Sequence, residues 1–415
     1  MHRLYIAHTY SNGERILLSV LLKSGVGAVH RALFDFLFAR RSKDWQPASP
    51  RPLPAKPRII LSGFIHEALG IGRAGRLTQA AVEAAGFETI GQDLRPLHRG
   101  LLTRSPRPLP GGDGAGIWII HANPPEARIA LFQQTYESWR KLYRIGYWAW
   151  ETSRAPASWA PVAKWFHEIW VPSDHVREAL RMAFVEAGCE DQVEKLRVMP
   201  HPVPIPPLPL DKGSRRINVL CMFDPGSDFA RKNPMGTIDA WLRLFPQATE
   251  TAHLTVKTLG SAKGLPQYGE MQRKTAGRSD IVVLAETLDE AQTRNLIAAS
   301  DVVVSLHRGE GFGLVLAEAM AHGRCVIATG WSGNMQFMSP ENSIPVPFSL
   351  SPANKRYNGP VAQWAEPADD FAVAALDRLI RDREMRERLG TWARRDLAML
   401  ADAWSRAELF GQADD

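Results

Sequence analysis

The sequence predicts two doubly wound α/β domains joined by a proline-rich connector. Short buried apolar runs alternate with stretches of helical period, first over residues 58–187 and again over 217–328. That alternation is the mark of βαβ units around a mainly parallel sheet. Between the two runs, residues 199–216 (MPHPVPIPPLPLDKGSRR) hold six prolines and no helical period. A length of 415 residues, with 45% hydrophobic and 23% charged residues, suits a soluble chain of two or more ordinary domains.

Taken in order, the first element is an N-terminal extension, residues 1–57. Residues 1–60 carry ten Lys/Arg against three acids, while the remainder is nearly balanced. A nucleic-acid binder would spread its basicity along a folded face with interleaved aromatics, so no nucleic-acid partner is expected. A local basic segment suits an anionic membrane surface. The patch around 32–41 reads as a short amphipathic helix, lying either on a membrane or on the body of the protein. A signal peptide fits less well, because its basic region would be long and no small-residue cleavage site stands out. The stretch 46–57 is a Pro-rich linker.

The first domain spans 58–205, with strands at 58–62, 88–92, 116–121, 143–150 and 168–171. Its helices are expected at 73–86, 126–144 and 175–187, the last capped within Pro172-Ser-Asp174. A connector follows at 206–216, then a second domain at 217–395. Its strands lie at 217–223, 253–258, 280–284, 301–306 and 325–328, with helices at 234–245, 288–299 and 313–322. Residues 396–415 form a C-terminal helix placed to return to the first domain. Three distant cysteines (Cys189, Cys221, Cys325) exclude a disulfide framework and a CxxC metal knuckle. No apolar stretch approaches the ~18 residues that span a bilayer.

Open parallel sheets bind ligands beyond the carboxyl ends of their strands, beside helix amino termini. The richest polar sequence after a predicted strand is Ser305-Leu-His307-Arg308-Gly309-Glu310-Gly311-Phe312-Gly313-Leu314, with Glu318 further along the helix. Its glycines let backbone approach a ligand, and the helix start offers N–H groups to an anion. A second cluster, Asp228-Phe-Ala-Arg231-Lys232-Asn233-Pro234, sets two adjacent cations before a helix, where a diphosphate would be neutralised without a metal. Gly70-Ile-Gly72-Arg-Ala-Gly75 matches G-x-G-x-x-G, yet Gly63–Leu69 separate it from the strand that a dinucleotide fingerprint should follow directly. His121, at a strand end, reads either as a substrate contact or as a structural residue. The aromatics of 147–150 would stack on sugar faces or fill the core. No G-x-S-x-G, HExxH, P-loop or CxxC occurs, which lowers hydrolase, zinc and NTPase readings.

HRGEGFGLVLAEAMAHG (307–323), followed by VIATGWSGN (326–334), resembles the signature of family 4 glycosyltransferases. The resemblance continues through YWAWE (147–151), WFHEIWVPSDHV (165–176), MPHPV (199–203) and FARKNP (229–234), in the family's order, over about residues 58–400. It implies the GT-B fold, two Rossmann-like domains facing a cleft, here preceded by the extension. It also implies retaining transfer of a hexose, of mannose or glucose type, from a GDP- or UDP-linked sugar to a glycan or lipid-linked acceptor in surface polysaccharide assembly. No metal or other cofactor is implied.

Glu310 and Glu318 would be the family's E-x7-E pair: Glu318 on the donor ribose, and Glu310 with the Gly311–Leu314 backbone at the donor sugar. Arg231 and Lys232 would hold the diphosphate, Asn334 would belong to the donor site, and Gly70 with Gly72 would close over diphosphate or acceptor. His121 stands near the family's cleft histidine, in a slightly different register. A cytoplasmic location, peripheral on the inner face of the plasma membrane, goes with such an acceptor. Two other readings remain: an NAD(P)-dependent oxidoreductase using the Gly70–Gly75 segment, and a non-catalytic nucleotide-sugar binder.

Overall fold

The computed structural model describes residues 26–49, 52, 57–67, 70–99, 105–112, 114, 116–208, 216–258, 265–357, 361–405 and 409. The chain forms two compact units. The first comprises Met1–Pro202, Ala353–Ala362 and Ala403–Asp415, and the second Val203–Pro352 and Gln363–Asp402. The crossing thus falls at Pro202–Val203 rather than at residue 206, because Val203 and Ile205 pack into a core of the second unit.

The first unit is built on strands β1 (Arg58–Gly63), β2 (Thr89–Asp93), β3 (Gly116–His121), β4 (Tyr143–Tyr147), β5 (Glu168–Val171) and β6 (Leu196–Val198). They pair in the order β2-β1-β3-β4-β5-β6, every pair parallel. All six residues of β3 are buried, as a central strand covered on both faces requires. Ser62 ties the middle of this sheet together: its hydroxyl donates to Gln92 Oε1 (2.6 Å) and accepts from Trp118 Nε1 (2.8 Å). The core is aromatic, with Trp118, Trp139, Trp148, Trp159 and Trp170 fully buried. Trp404 packs edge-on against Trp170 at 5.8 Å and donates through Nε1 to the Pro200 carbonyl (2.6 Å).

Strands β7 (Ile217–Phe223), β8 (Ala252–Thr258), β9 (Ile281–Leu284), β10 (Val302–Ser305), β11 (Cys325–Thr329) and β12 (Ile344–Val346) carry the second unit. Their order is β12-β11-β10-β7-β8-β9, again parallel throughout. The direction of winding therefore reverses between β7 and β10, which opens a crevice at their carboxyl ends. Alternate residues serve opposite faces. Val219, Cys221, Val302, Val304 and Ile327 enter one core, while Leu220, Val303, Val326 and Ala328 enter the other. A small antiparallel ribbon, β13 (Phe348–Pro352) with β14 (Gln363–Pro367), flanks this unit.

Several elements differ from the sequence expectation. The helix expected over 126–144 is Pro124–Gln133, followed by a single turn at Tyr136–Trp139. It stops because Arg107 forms a bridge with Gln134, drawing the Gln133 carbonyl and the Thr135 amide out of helical bonding. The glycine-rich segment is helix, not loop: Gly70–Ala84 is one element. Gly72 is there for close approach, since a Cβ would meet the Glu67 carbonyl oxygen at 2.2 Å. A further helix, Pro266–Thr275, and a helical segment, Pro225–Lys232, kinked at the extended residue Asp228, stand where the sequence reads as loop. The C-terminal helical region divides at Asp382, whose side chain caps Arg383–Met399 by accepting from the Met385 amide (2.8 Å).

Candidate functional site

The crevice between β7 and β10 receives three chain segments. Pro225–Lys232 follows β7 and ends at Asn233, which holds a left-handed backbone (φ 46°, ψ 50°) that Asn tolerates better than most residues. Asn233 also starts the helix Pro234–Leu244: its Oδ1 accepts from the Gly236 amide (3.3 Å) while Nδ2 donates to the Leu306 carbonyl (2.7 Å). The end of β7 is thereby clamped to the loop after β10, and Arg231 and Lys232 are presented to that loop.

The loop after β10 brings Glu310 to both cations. Lys232 Nζ forms an ion pair with Glu310 Oε1, and Arg231 Nη1 lies 3.4 Å from Oε2. Burial alone would raise the Glu310 carboxyl; Lys232 and then Arg231 outweigh it and hold the group at about 2. Arg231 is only 3% exposed, and its Nη1 also donates to the Gly309 carbonyl (2.6 Å). It serves as much to shape the turn as to present charge. Lys232, at 21% side-chain exposure, is the more open cation.

A third segment braces this loop from behind. The Glu310 amide donates to Ser332 Oγ (2.9 Å), and the Gly333 amide donates to the Glu310 carbonyl (2.9 Å). Gly333 sits so close to Gly311 that a Cβ would fall 2.0 Å from the Gly311 oxygen. Ser332 has φ 80°, a strained value for a residue with a side chain. His307 is fully buried; with Nε2 protonated it donates to Asn334 Oδ1 (3.0 Å), and Nδ1 accepts from the Ser305 hydroxyl (3.2 Å). Burial keeps this imidazole below its usual range, opposed by Glu310 and reinforced by Lys232. Asn334 Nδ2 donates to the Thr329 carbonyl (2.9 Å), and Thr329 Oγ1 to the His307 carbonyl (2.6 Å).

Arg231, Lys232 and Glu310 thus converge, with Gly311, Phe312, Gly313 and Leu314 leading directly into the helix Leu314–Ala321. Gly313 stands at its N-cap in the left-handed region (φ 92°), where glycine is the favoured residue, and no side chain caps the helix. Phe312 is buried on Phe337, with ring centroids 4.9 Å apart. Glu318 is buried on the same helix, one turn beyond its amino end. Asn334, expected at the donor site, has a fully buried side chain engaged with protein partners, through which it shapes the loop beside Glu310. His307, Thr329 and Ser332 lie within the segments the sequence singles out, but no individual role is legible for them there. Only the neighbourhood of the strand ends hints at them.

His121, Gly70 and Gly72 belong to the first unit, at its own winding reversal between β1 and β3. His121 ends β3 and is 4% exposed, with a Cβ on Gly63 or Gly75 falling within 4 Å of it. Its ring lies 4.3 Å from Tyr147 and 5.9 Å from His201, and the Tyr147 hydroxyl is 2.9 Å from His201 Nδ1. Neither nitrogen of His121 has a hydrogen-bond partner among the described residues. Burial pushes His121 down to about 4, and the nearby buried His201 is depressed as well. Glu126, in the first turn of Pro124–Gln133, is pushed up by burial to about 8, with its own backbone opposing. The Gly70–Gly75 match, inside a helix and seven residues past its strand, does not form the loop of a dinucleotide fingerprint.

Residues 227–349, which contain the Arg231–Lys232 pair and the whole of the 307–334 bracket, match the family model Glycosyl transferases group 1. The second unit carries a group 1 glycosyl transferase segment. Solved glycosyltransferases share the fold of the chain, two parallel six-stranded sheets of GT-B type. The glycosyltransferase from Rickettsia africae matches with a TM-score of 0.58 at 13% identity, over 85% of this chain and 96% of that one. HepE from Anabaena, in complex with UDP and glucose, matches with a TM-score of 0.57 at 12% identity, over 83% and 97%. TarM from S. aureus, in complex with fondaparinux, alpha-GlcNAc-glycerol and UDP, gives a TM-score of 0.52 at 12% identity over 70% of this chain. There the match spans about half of the longer TarM chain, 54%. No curated protein matches in sequence. Among the described residues no helix is long and apolar enough to cross a membrane.

Proposed function

We propose that this group 1 glycosyl transferase is a retaining, family 4 type enzyme. It would move a hexose, of mannose or glucose type, from a nucleotide-diphosphate sugar to a glycan or lipid-linked acceptor in surface polysaccharide assembly. The observation that carries this reading is the convergence of Lys232, Arg231 and Glu310 at the winding reversal of the second sheet, next to an uncapped helix start. The donor diphosphate takes its place beside Lys232 and the first amides of Leu314–Ala321, where the cation and the helix dipole favour an anion. Glu318 holds the ribose hydroxyls and Glu310 the donor sugar, and neither Arg231 nor Lys232 requires a metal beside it. In the first unit, the crevice holding His121, with Gly70 and Gly72 in the adjoining helix start, receives substrate. A peripheral position on the inner, cytoplasmic face of the plasma membrane, through residues 1–57, goes with a lipid-linked acceptor.

In the reaction the bond between the sugar C1 and the diphosphate oxygen breaks, and a bond from C1 to the acceptor oxygen forms on the same face. The acceptor proton leaves with the departing phosphate. Charge gathers on that phosphate in the transition state, so fixed cations stabilise it more than the bound donor. The UDP bound in HepE and in TarM favours a uridine donor; a guanosine donor is the other candidate.

Thermal unfolding with UDP, GDP, ADP and NAD⁺, each with and without magnesium, tests this reading. A ligand at a hundred times its Kd stabilises by about 2.7 kcal/mol. A Tm rise with UDP or GDP that ignores magnesium is expected. A rise with NAD⁺ alone would overturn the proposal, and an inverted product anomer by NMR would end its retaining part.

A further inference from the structure

The helix Val26–Arg41 carries apolar residues on two opposite sides of its second half, and among the described residues the body of the first unit packs against one of them. Phe34 and Phe38 are buried, with Phe34 edge-on to Phe132 at 5.4 Å and Phe38 edge-on to Trp45 at 5.6 Å. Arg128 clasps this inner side. Its guanidinium lies over Phe34 (5.1 Å) and Phe38 (4.5 Å) and pairs with Asp35 at 2.7 Å. Phe36 lies about 200° around the helix from Phe34. It is 62% exposed, and Leu33 is 43% exposed. Leu33, Phe36 and Arg40 follow one another at three- and four-residue spacing, and Lys43 continues the row in the turn Ser42–Asp44. Arg40 and Lys43 are exposed. Of the two acids in 26–44, Asp35 is occupied by Arg128, which leaves Asp44 as the acid nearest the row.

We propose that the row Leu33–Phe36–Arg40–Lys43 is a docking face for an anionic lipid bilayer. Phe36 and Leu33 enter the boundary between headgroups and acyl chains, while Arg40 and Lys43 meet the lipid phosphates. Apolar anchors followed by cations along a surface-lying helix are the chemistry of interfacial binding. The strong excess of Lys/Arg in residues 1–60, within a chain otherwise nearly neutral, gives the complementary charge. This inference rests on the membrane-proximal part of the proposed function and is independent of its transfer chemistry, because vesicle binding is read without any nucleotide.

The test is sedimentation of the full chain with vesicles of phosphatidylcholine alone and of phosphatidylcholine with phosphatidylglycerol at 3:1, at low and physiological salt. Binding only to the anionic vesicles, weakened by salt, is expected. Leu33→Ser/Phe36→Ser should reduce the partition at least tenfold, and Arg40→Glu/Lys43→Glu at least as much, given about fivefold per cation. Both variants should keep the wild-type melting temperature and its response to UDP or GDP. Equal binding to the neutral vesicles, no binding to either, or unchanged binding by both folded variants would overturn the proposal. So would a concentration-dependent dimer lost in Leu33→Ser/Phe36→Ser, which would assign the face to a second copy of the chain.

Discussion

The two units place polar groups at the same kind of position, the carboxyl edge of a parallel sheet where its winding reverses, and treat them in opposite ways. In the second unit a largely buried carboxylate meets two cations. Glu310 is ionised between Lys232 and Arg231, and His307 and Asn334 are held by named partners. In the first unit burial drives groups to their neutral forms, His121 down to about 4 and Glu126 up to about 8. The contrast teaches that one architecture supports both a charge-paired cluster and a buried set of neutral titratable groups. What separates Glu310 from Glu126 is whether a neighbouring segment delivers a counter-charge, as Pro225–Lys232 does for Glu310.

The sharpest way to break this comparison is to remove the open cation. Lys232→Ala should lower kcat about a hundredfold, on the order of 3 kcal/mol in the barrier, if Lys232 faces charge that develops on the leaving group. Steady-state kinetics on the proposed donor would show it, with circular dichroism confirming the fold. Full turnover would mean that Lys232 serves only to neutralise Glu310.

Glu310 provides the next test. Its folded pKa, about 2, lies below the unfolded value, so the stabilisation is whole above about pH 4.5 and is lost as the pH falls towards 2. Glu310→Gln should therefore cost on the order of 3 kcal/mol in urea unfolding at pH 7 and far less at pH 3. An equal loss at both pH values would show that packing, not charge pairing, is what Glu310 contributes.

The same linkage runs the other way in the first unit. Glu126 has a folded value above its unfolded one, so the stability tied to its neutral form is complete below about pH 4.5 and is lost as the pH rises through 8. Glu126→Gln removes that loss and should stabilise the protein at pH 8 by about 4 kcal/mol, with little change at pH 4. Melting curves at the two pH values decide it. Destabilisation at pH 8 would mean that the carboxylate is ionised and held by a partner, and the contrast between the units would fall.

Much of the architecture is legible in the sequence, because strands covered on both faces are written as unbroken apolar runs such as Ile59–Leu61 and Val302–Val304. Chain order also places Arg231–Lys232 and Glu310 just after strands, so their candidacy follows from a topological rule. Their pairing does not, because it depends on β7 and β10 being neighbours. What escapes is whatever is settled by distant contacts. Arg107 ends a helix 27 positions away at Gln134, and Gly72 reads as a loop residue until the Glu67 carbonyl is seen beside it. The hold of His307 and Thr329 on the Asn334 side chain is likewise invisible in the order of residues.

The smallest expected effect sharpens the account of that bracket. Ser332 holds a left-handed backbone at φ 80° and supplies the oxygen that accepts from the Glu310 amide. Ser332→Ala keeps the strain and loses the acceptor, leaving a part-buried N–H unsatisfied, and should cost about 1–2 kcal/mol. Ser332→Gly loses the same acceptor but relieves the strain, about 1 kcal/mol in the opposite direction. The glycine variant should therefore lie above the alanine variant in stability by about 1 kcal/mol and close to the parent. Both should lose activity through a looser Glu310, with kcat falling while KM for the donor holds. If alanine and glycine unfold alike, the backbone at 332 is unstrained, and Gly333 against Gly311 is left as the contact that sets the turn.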